Sequence, residues 1–316
     1  MRASARNRVA RRAASPLVAI LAVVSVLGMS AGPAHASNYP VIYSVATAIG
    51  GAFSPSTPPA GANNWSCKPS AAHPRAVVLV NGTFGNQHDN WATASPLLAN
   101  NGYCVFSFNY GGPPLLGTAY GVGDIGASAG QLSTFVNQVL AATGTAKVDL
   151  VGHSQGGMMP RYYLKFLGGA AKVQNLVALA PSNHGTNLDG LVTLASLFGL
   201  TGFTNSVVGS LCTSCVQQEV GSAFLANLNA GGDTVPGVTY TVIETKYDEV
   251  VTPYRSAFLT GANVKNILIQ DQCPIDFDGH IGIVFDHIAL RNVLNALDPA
   301  HAQAAWCTPI AFDLGG

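Results

Sequence analysis

Short continuous apolar runs alternate along this chain with longer stretches whose apolar residues recur every three or four positions. Ala76–Val80, Tyr103–Phe108, Val148–Val151, Val173–Leu179, Tyr240–Ile243 and Val264–Ile269 are runs of the strand type. Leu132, Phe135, Val136, Val139 and Leu140 share one helical face that stops at Gly144. Met158–Phe166 predicts a second helix, and Ile288–Leu297, halted by Pro299, a closing one. Strands apolar on both faces and separated by helices predict an α/β fold with a mostly parallel sheet covered on both sides. The stretch from Leu188 to Leu228 breaks this alternation, being long, weakly amphipathic and almost uncharged. It is expected to form a helical cap, residues 188–230, over the carboxyl edge of the sheet, within one domain spanning 37–316. Ser37–Arg75, rich in Pro, Gly, Ser and Asn, reads as an extended lead-in lying on that domain.

The first 36 residues follow another logic. Arg2, Arg6, Arg8, Arg11 and Arg12 precede an apolar stretch from Leu17 to Leu27 and then Ala34-His35-Ala36. A basic start, a short apolar core and an A-x-A site describe an export signal peptide, and the core is too short for the ~20 residues that span a bilayer. No bulky apolar pair follows Arg11-Arg12, so general secretion is expected over the twin-arginine route. Cleavage after Ala36 turns the balance of 15 basic and 15 acidic residues into 10 and 15, a net charge of about −5. No basic patch remains, which argues against nucleic acid as a partner. Six cysteines (Cys67, Cys104, Cys212, Cys215, Cys273, Cys307) in an exported chain predict three disulfides, with the pairing left open by the count.

Gly152-His153-Ser154-Gln155-Gly156 fits the G-x-S-x-G nucleophile elbow, but so does Gly126-Ala127-Ser128-Ala129-Gly130. Context separates them. An elbow needs a strand before it and a helix after it, so that the serine is exposed on a sharp turn. Ser154 follows Val148–Val151 and leads into Met158–Phe166, whereas Gly121–Ile125 before Ser128 is no strand, and Ser128 belongs in the first turns of a helix.

A serine hydroxyl needs a base, and the base an orienting acid, in the chain order Ser, Asp or Glu, His. Asp248 follows the strand Tyr240–Ile243 after a short connection, with Glu249 as its expected solvent-facing neighbour. Two histidines compete as base: His280 on a loop and His287 at the start of the closing helix, where capping roles are commoner. His280 is favoured because loops on a rigid sheet present catalytic groups. His153 and His184 break the chain order and are expected to line the pocket. The oxyanion needs N–H donors, one from Gln155 and one from the glycine-containing turn Asn81–Gly85, where Thr83 adds a hydroxyl. Asn81-Gly82-Thr83 is also an N-x-T glycosylation sequon, but Asn81 abuts a buried strand. No His/Cys/Asp spacing implies a metal, and no organic cofactor is called for.

Together these residues resemble the secreted bacterial class 2 lipases of the α/β-hydrolase superfamily and their relative, fungal lipase B. The likeness rests on Leu79-Val80-Asn81-Gly82-Thr83, Gly152–Gly157, Asp248–Pro253 and the stretch from Cys273 through His280 to Leu297. Asn81 stands where the fungal relative has Pro. The resemblance implies Ser154, Asp248 and His280 as a triad, Thr83 and Gln155 as oxyanion donors, and bridges Cys67–Cys104, Cys273–Cys307 and, with them, Cys212–Cys215. It implies a secreted, monomeric serine hydrolase of lipid esters, most simply triacylglycerols. A carboxylesterase or polyester hydrolase with the same triad, or a non-catalytic scaffold binding an apolar ligand, are the alternatives. The uncharged stretch Leu191–Leu211 favours a lipid substrate.

Overall fold

The structure, a computed structural model, describes Met1 and residues 38–198 and 211–312. The leader read over 1–36 lies, apart from Met1, outside the described residues, as do residues 199–210 of the expected cap. By its contacts the chain divides into two units, Met1–Ala34 and His35–Gly316, and the sheet and site belong to the second.

Among the described residues six strands form one sheet: β1 (Ala76–Val80), β2 (Val105–Ser107), β3 (Val148–His153), β4 (Val173–Leu179), β5 (Thr239–Glu244) and β6 (Val264–Leu268). Their order is β2-β1-β3-β4-β5-β6, and every pairing is parallel. The first connection runs to the sheet edge and the rest march the other way, so the crevice lies above β1 and β3, where the order reverses.

Alternating side chains of each strand feed two separate cores. Val78, Val80 and Leu150 pack with α3 (Ile125–Thr143) and α4 (Gln155–Phe166), through residues such as Leu132, Val136, Met158 and Tyr163. Val77, Leu79, Val151 and Val177 pack with α2 (Ala94–Asn100) and the closing helix α8 (His287–Leu297). Burial on both faces is why these strands read as unbroken apolar runs.

Helix α3 starts seven residues before its apolar stripe, because the Asp124 carboxylate accepts the N–H of Ala127, and it ends at Gly144 in the left-handed conformation (φ +76°). Two expectations need correction. Strand β2 is only three residues long. Its outer edge is occupied by Asn63, which exchanges hydrogen bonds with Val105 and Ser107 and takes the place of another strand. The lead-in also holds a short helix, α1 (Ala46–Ala52), whose Gly51 packs so closely on the backbone of Asp89 that a β-carbon there would lie 2.6 Å from the Asp89 nitrogen.

The expected cap contains α5 (Leu188–Leu197), α6 (Thr213–Gln218) and α7 (Ala223–Asn229). Its second half is fastened to the body. Ser214 and Gln217 bond to Gly121, Val122, Asp124 and Ile125 at the start of α3, and Arg161 of α4 donates to Asn229. The structure pairs Cys67 with Cys104, Cys212 with Cys215 and Cys273 with Cys307. No helix among the described residues is long and apolar enough to cross a membrane.

Candidate active site

Ser154 stands at the junction of β3 and α4 with φ +54° and ψ −126°, a conformation that costs a non-glycine residue roughly 1–3 kcal/mol. The surrounding glycines make the turn possible. A β-carbon on Gly152 would lie 1.9 Å from the Gly156 carbonyl oxygen, and one on Gly156 would lie 2.1 Å from that of Val80. Helix α4 therefore sits directly on β1 and β3. Ser128 is instead buried in the first turns of α3, where its hydroxyl donates to the Asp124 carbonyl.

Asp248 and His280 meet at the same edge. His280 Nδ1 lies 2.8 Å from Asp248 Oδ2, with both side chains fully buried. The other oxygen of Asp248 accepts the N–H groups of Val250 (2.8 Å) and Val251 (2.7 Å), so the carboxylate cannot rotate away. A nitrogen facing a carboxylate carries the proton, which makes Nε2 the basic nitrogen of His280. Glu249 departs from its expected solvent-facing role. It is half-buried, and its Oε2 accepts the backbone N–H of His280 (3.1 Å).

The turn after β1 folds over the serine. A β-carbon on Gly82 would lie 3.0 Å from the Ser154 β-carbon, so only glycine lets this backbone come so near. Asn90 Oδ1 accepts the Gly82 N–H (2.8 Å) and lies 3.2 Å from His153 Nδ1, while His153 Nε2 donates to the His280 carbonyl (2.9 Å). His153 thus lies between the turn after β1 and the histidine loop and is bonded to the loop through Nε2. Burial, then the neighbouring His280, push its pKa well below the ordinary histidine range. The Thr83 hydroxyl donates to Gln155 Oε1 (2.6 Å). Asn81 is fully buried and donates to the carbonyls of Gly82 and Gly85, which leaves the sequon no access to a glycosylating enzyme.

His153, Asn90 and Asp89 also line a small, mostly apolar cavity of about 40 Å³ with Ala48, Phe198, Ile281, Val284 and Phe285. Of the two pocket histidines expected, only His153 is there. His184 is turned to the Ser256 carbonyl and the Asp233 carboxylate. His287, the rival base, bonds the Trp306 carbonyl and lines a larger cleft of about 440 Å³ with Tyr43, Arg291 and Trp306, which shares no residue with the apolar cavity.

Sequence reasoning passed over Asn90, Gln218 and Glu244. Nothing local marks the first two, but Glu244, a charged residue ending an apolar strand, is a readable anomaly. It is fully buried, and its Oε1 accepts the Thr245 N–H. Burial, then the charge of Asp248, push its pKa well above the ordinary 4.5. Because the folded value lies above the unfolded one, Glu244 stabilises the fold fully below pH 4.5, and that contribution is lost as pH rises through the folded value. Glu244→Gln, which mimics the neutral acid, is expected to lose less melting temperature than the parent between pH 5 and pH 8. Equal losses in thermal melts at the two pH values would refute this.

The sequence matches the family described as Lipase (class 2) over residues 74–288. It is 40% identical over 91 residues to a triacylglycerol lipase of Pseudarthrobacter phenanthrenivorans, a match covering 27% of each chain. A triacylglycerol lipase of Burkholderia plantarii is also 40% identical over 91 residues, 27% of this chain and 24% of its own. These matches thus span about a quarter of either relative. Among solved structures, Aspergillus fumigatus lipase B superposes with a TM-score of 0.58 at 21% identity, covering 78% of this chain and 56% of its own. A Bacillus licheniformis lipase in mature form gives 0.51 at 18% identity, covering 72% and 94%. At such identities the likeness establishes the α/β-hydrolase fold. With the family match spanning Ser154, Asp248 and His280, the chain belongs to the class 2 lipase family.

Proposed function

We propose that this chain is a secreted carboxylic ester hydrolase acting on triacylglycerols, with Ser154 as nucleophile, His280 as base and Asp248 as the acid that orients it. One observation carries the reading: a fully buried Asp248–His280 pair shares the carboxyl edge of the sheet with a serine held in a strained strand-to-helix turn. Ser154 would attack the ester carbonyl as His280 Nε2 takes its proton. The oxyanion would be met by the Gln155 N–H and by Thr83, and the alcohol would leave with the proton held by His280. Water, activated by the same histidine, would then release the acid. The uncharged stretch Leu191–Leu211 supports a lipid ester as substrate. The basic leader and three disulfides support secretion, with 188–230 as the cap of one domain.

A fluorophosphonate that labels activated serines tests the centre. Peptide mass spectrometry is expected to find the adduct on Ser154 and none on Ser128. Assays on esters of short and long acyl chains test the substrate, with hydrolysis of emulsified long-chain triacylglycerol expected. Turnover confined to short soluble esters would make the enzyme a carboxylesterase.

A further inference from the structure

Gln218, the last residue of α6, reaches from the cap region into the oxyanion turn. Its main-chain carbonyl accepts the Thr186 N–H (3.0 Å), and its Oε1 accepts the Ser182 hydroxyl (2.8 Å). With backbone and carbonyl oxygen both held, the amide nitrogen is aimed. It lies 2.9 Å from Thr83 Oγ1, 3.1 Å from Gln155 Oε1 and 3.2 Å from the Ser214 carbonyl. The whole group is buried, Gln218 being 1% exposed.

The proton count at this cluster is informative. Thr83 has one hydroxyl hydrogen, and in the resting arrangement it is donated to Gln155 Oε1. To serve a developing oxyanion, that hydrogen must turn away from Gln155. Turning alone would strand a buried amide oxygen without a donor. Gln218 removes the obstacle because, of the three acceptors its two amide hydrogens share, two are Gln155 Oε1 and Thr83 Oγ1. Gln155 stays satisfied when Thr83 turns. The hydroxyl oxygen, accepting from Gln218, also becomes a stronger donor, since hydrogen bonds in a chain polarise one another.

We infer that Gln218 is a positioning residue of the oxyanion hole: it is the relief donor that frees the Thr83 hydroxyl to meet the tetrahedral intermediate. The inference rests on the reading of Ser154, Thr83 and Gln155 as the catalytic centre. It also gives the cap region a part in transition-state stabilisation. The contacts of Ser214 with Gly121 and Val122 and the Cys212–Cys215 bridge hold α6 in place, and Gly121 in turn packs against the Gly82 carbonyl and Thr83.

A double-mutant cycle tests it. Gln218→Met keeps the side-chain volume and removes both donors. Gln218→Glu also removes them but keeps an acceptor for Ser182, and carries the test should the methionine variant fold poorly. Each is expected to lower kcat about 10- to 100-fold with KM changed less than about threefold. Affinity for a boronic acid that forms a tetrahedral adduct on Ser154 should fall by a similar factor. Thr83→Val should be at least as slow, and adding Gln218→Met to it should change kcat no further. A merely structural Gln218 would instead give an additive loss in the double variant. Additivity, or a kcat within twofold of the parent in both Gln218 variants, overturns the inference. If the fluorophosphonate leaves Ser154 of the parent unlabelled, the reading of the centre itself has failed.

Discussion

Asp248→Asn is expected to lower kcat about 10⁴-fold while leaving the protein folded. The asparagine oxygen can take over the N–H groups of Val250 and Val251, so the turn after β5 keeps its shape. The amide nitrogen then faces His280 Nδ1, where the carboxylate had been. Two donors cannot face each other at 2.8 Å, so the imidazole proton moves to Nε2. That nitrogen then offers Ser154 a hydrogen in place of a lone pair, and the base is lost although every residue remains in position. Steady-state kinetics and fluorophosphonate labelling should slow together, with the melting temperature within a few degrees of the parent. A loss below about tenfold would show that Asp248 is only a turn aspartate. Glu249, which holds the His280 backbone and not its ring, would then be the next acid to examine.

What could be read in advance follows the range of the forces involved. The central strands were legible because burial on both faces leaves runs such as Ala76–Val80 no polar position. The elbow was legible because its geometry demands small residues at fixed spacing around Ser154. His280 was preferred to His287 for its place on a loop, and the structure puts His280 against Asp248 and His287 against Trp306. The start of α3 was legible in the placing of Ser128 in a helix's first turns, while the Asp124 cap was within reach of the same rules but went unread. Asn90 and Gln218 were not within reach. Each is a neutral polar residue whose importance comes from partners elsewhere in the chain, as far as 63 positions from Asn90 and 135 from Gln218, and such pairings leave no period or motif. The small cysteine-bounded helix that delivers Gln218 sits in a stretch that reads only as apolar and uncharged.

The two G-x-S-x-G motifs offer the sharpest test of why one is an elbow and the other is not. Gly156→Ala is expected to cost about 3 kcal/mol or more and to abolish activity, whereas Gly130→Ala, the same change at the same motif position, should stabilise the protein by about 0.5–1 kcal/mol. At position 156 the new methyl would lie 2.1 Å from the Val80 carbonyl oxygen and 2.4 Å from that of Asn81. Both obstacles are backbone, at the end of β1 and the start of the turn that follows it, so no side chain can swing aside to make room. Helix α4 must then lift from β1, taking Ser154 away from Gly82 and Thr83, and stability and catalysis fail together. At position 130 a methyl meets nothing within 4 Å, and glycine in the interior of α3 is simply a poor helix former. Chemical denaturation of the two variants beside the parent measures the contrast. If Gly156→Ala keeps the parent's stability and turnover, the close seating of α4 on β1 is not what holds the nucleophile in place.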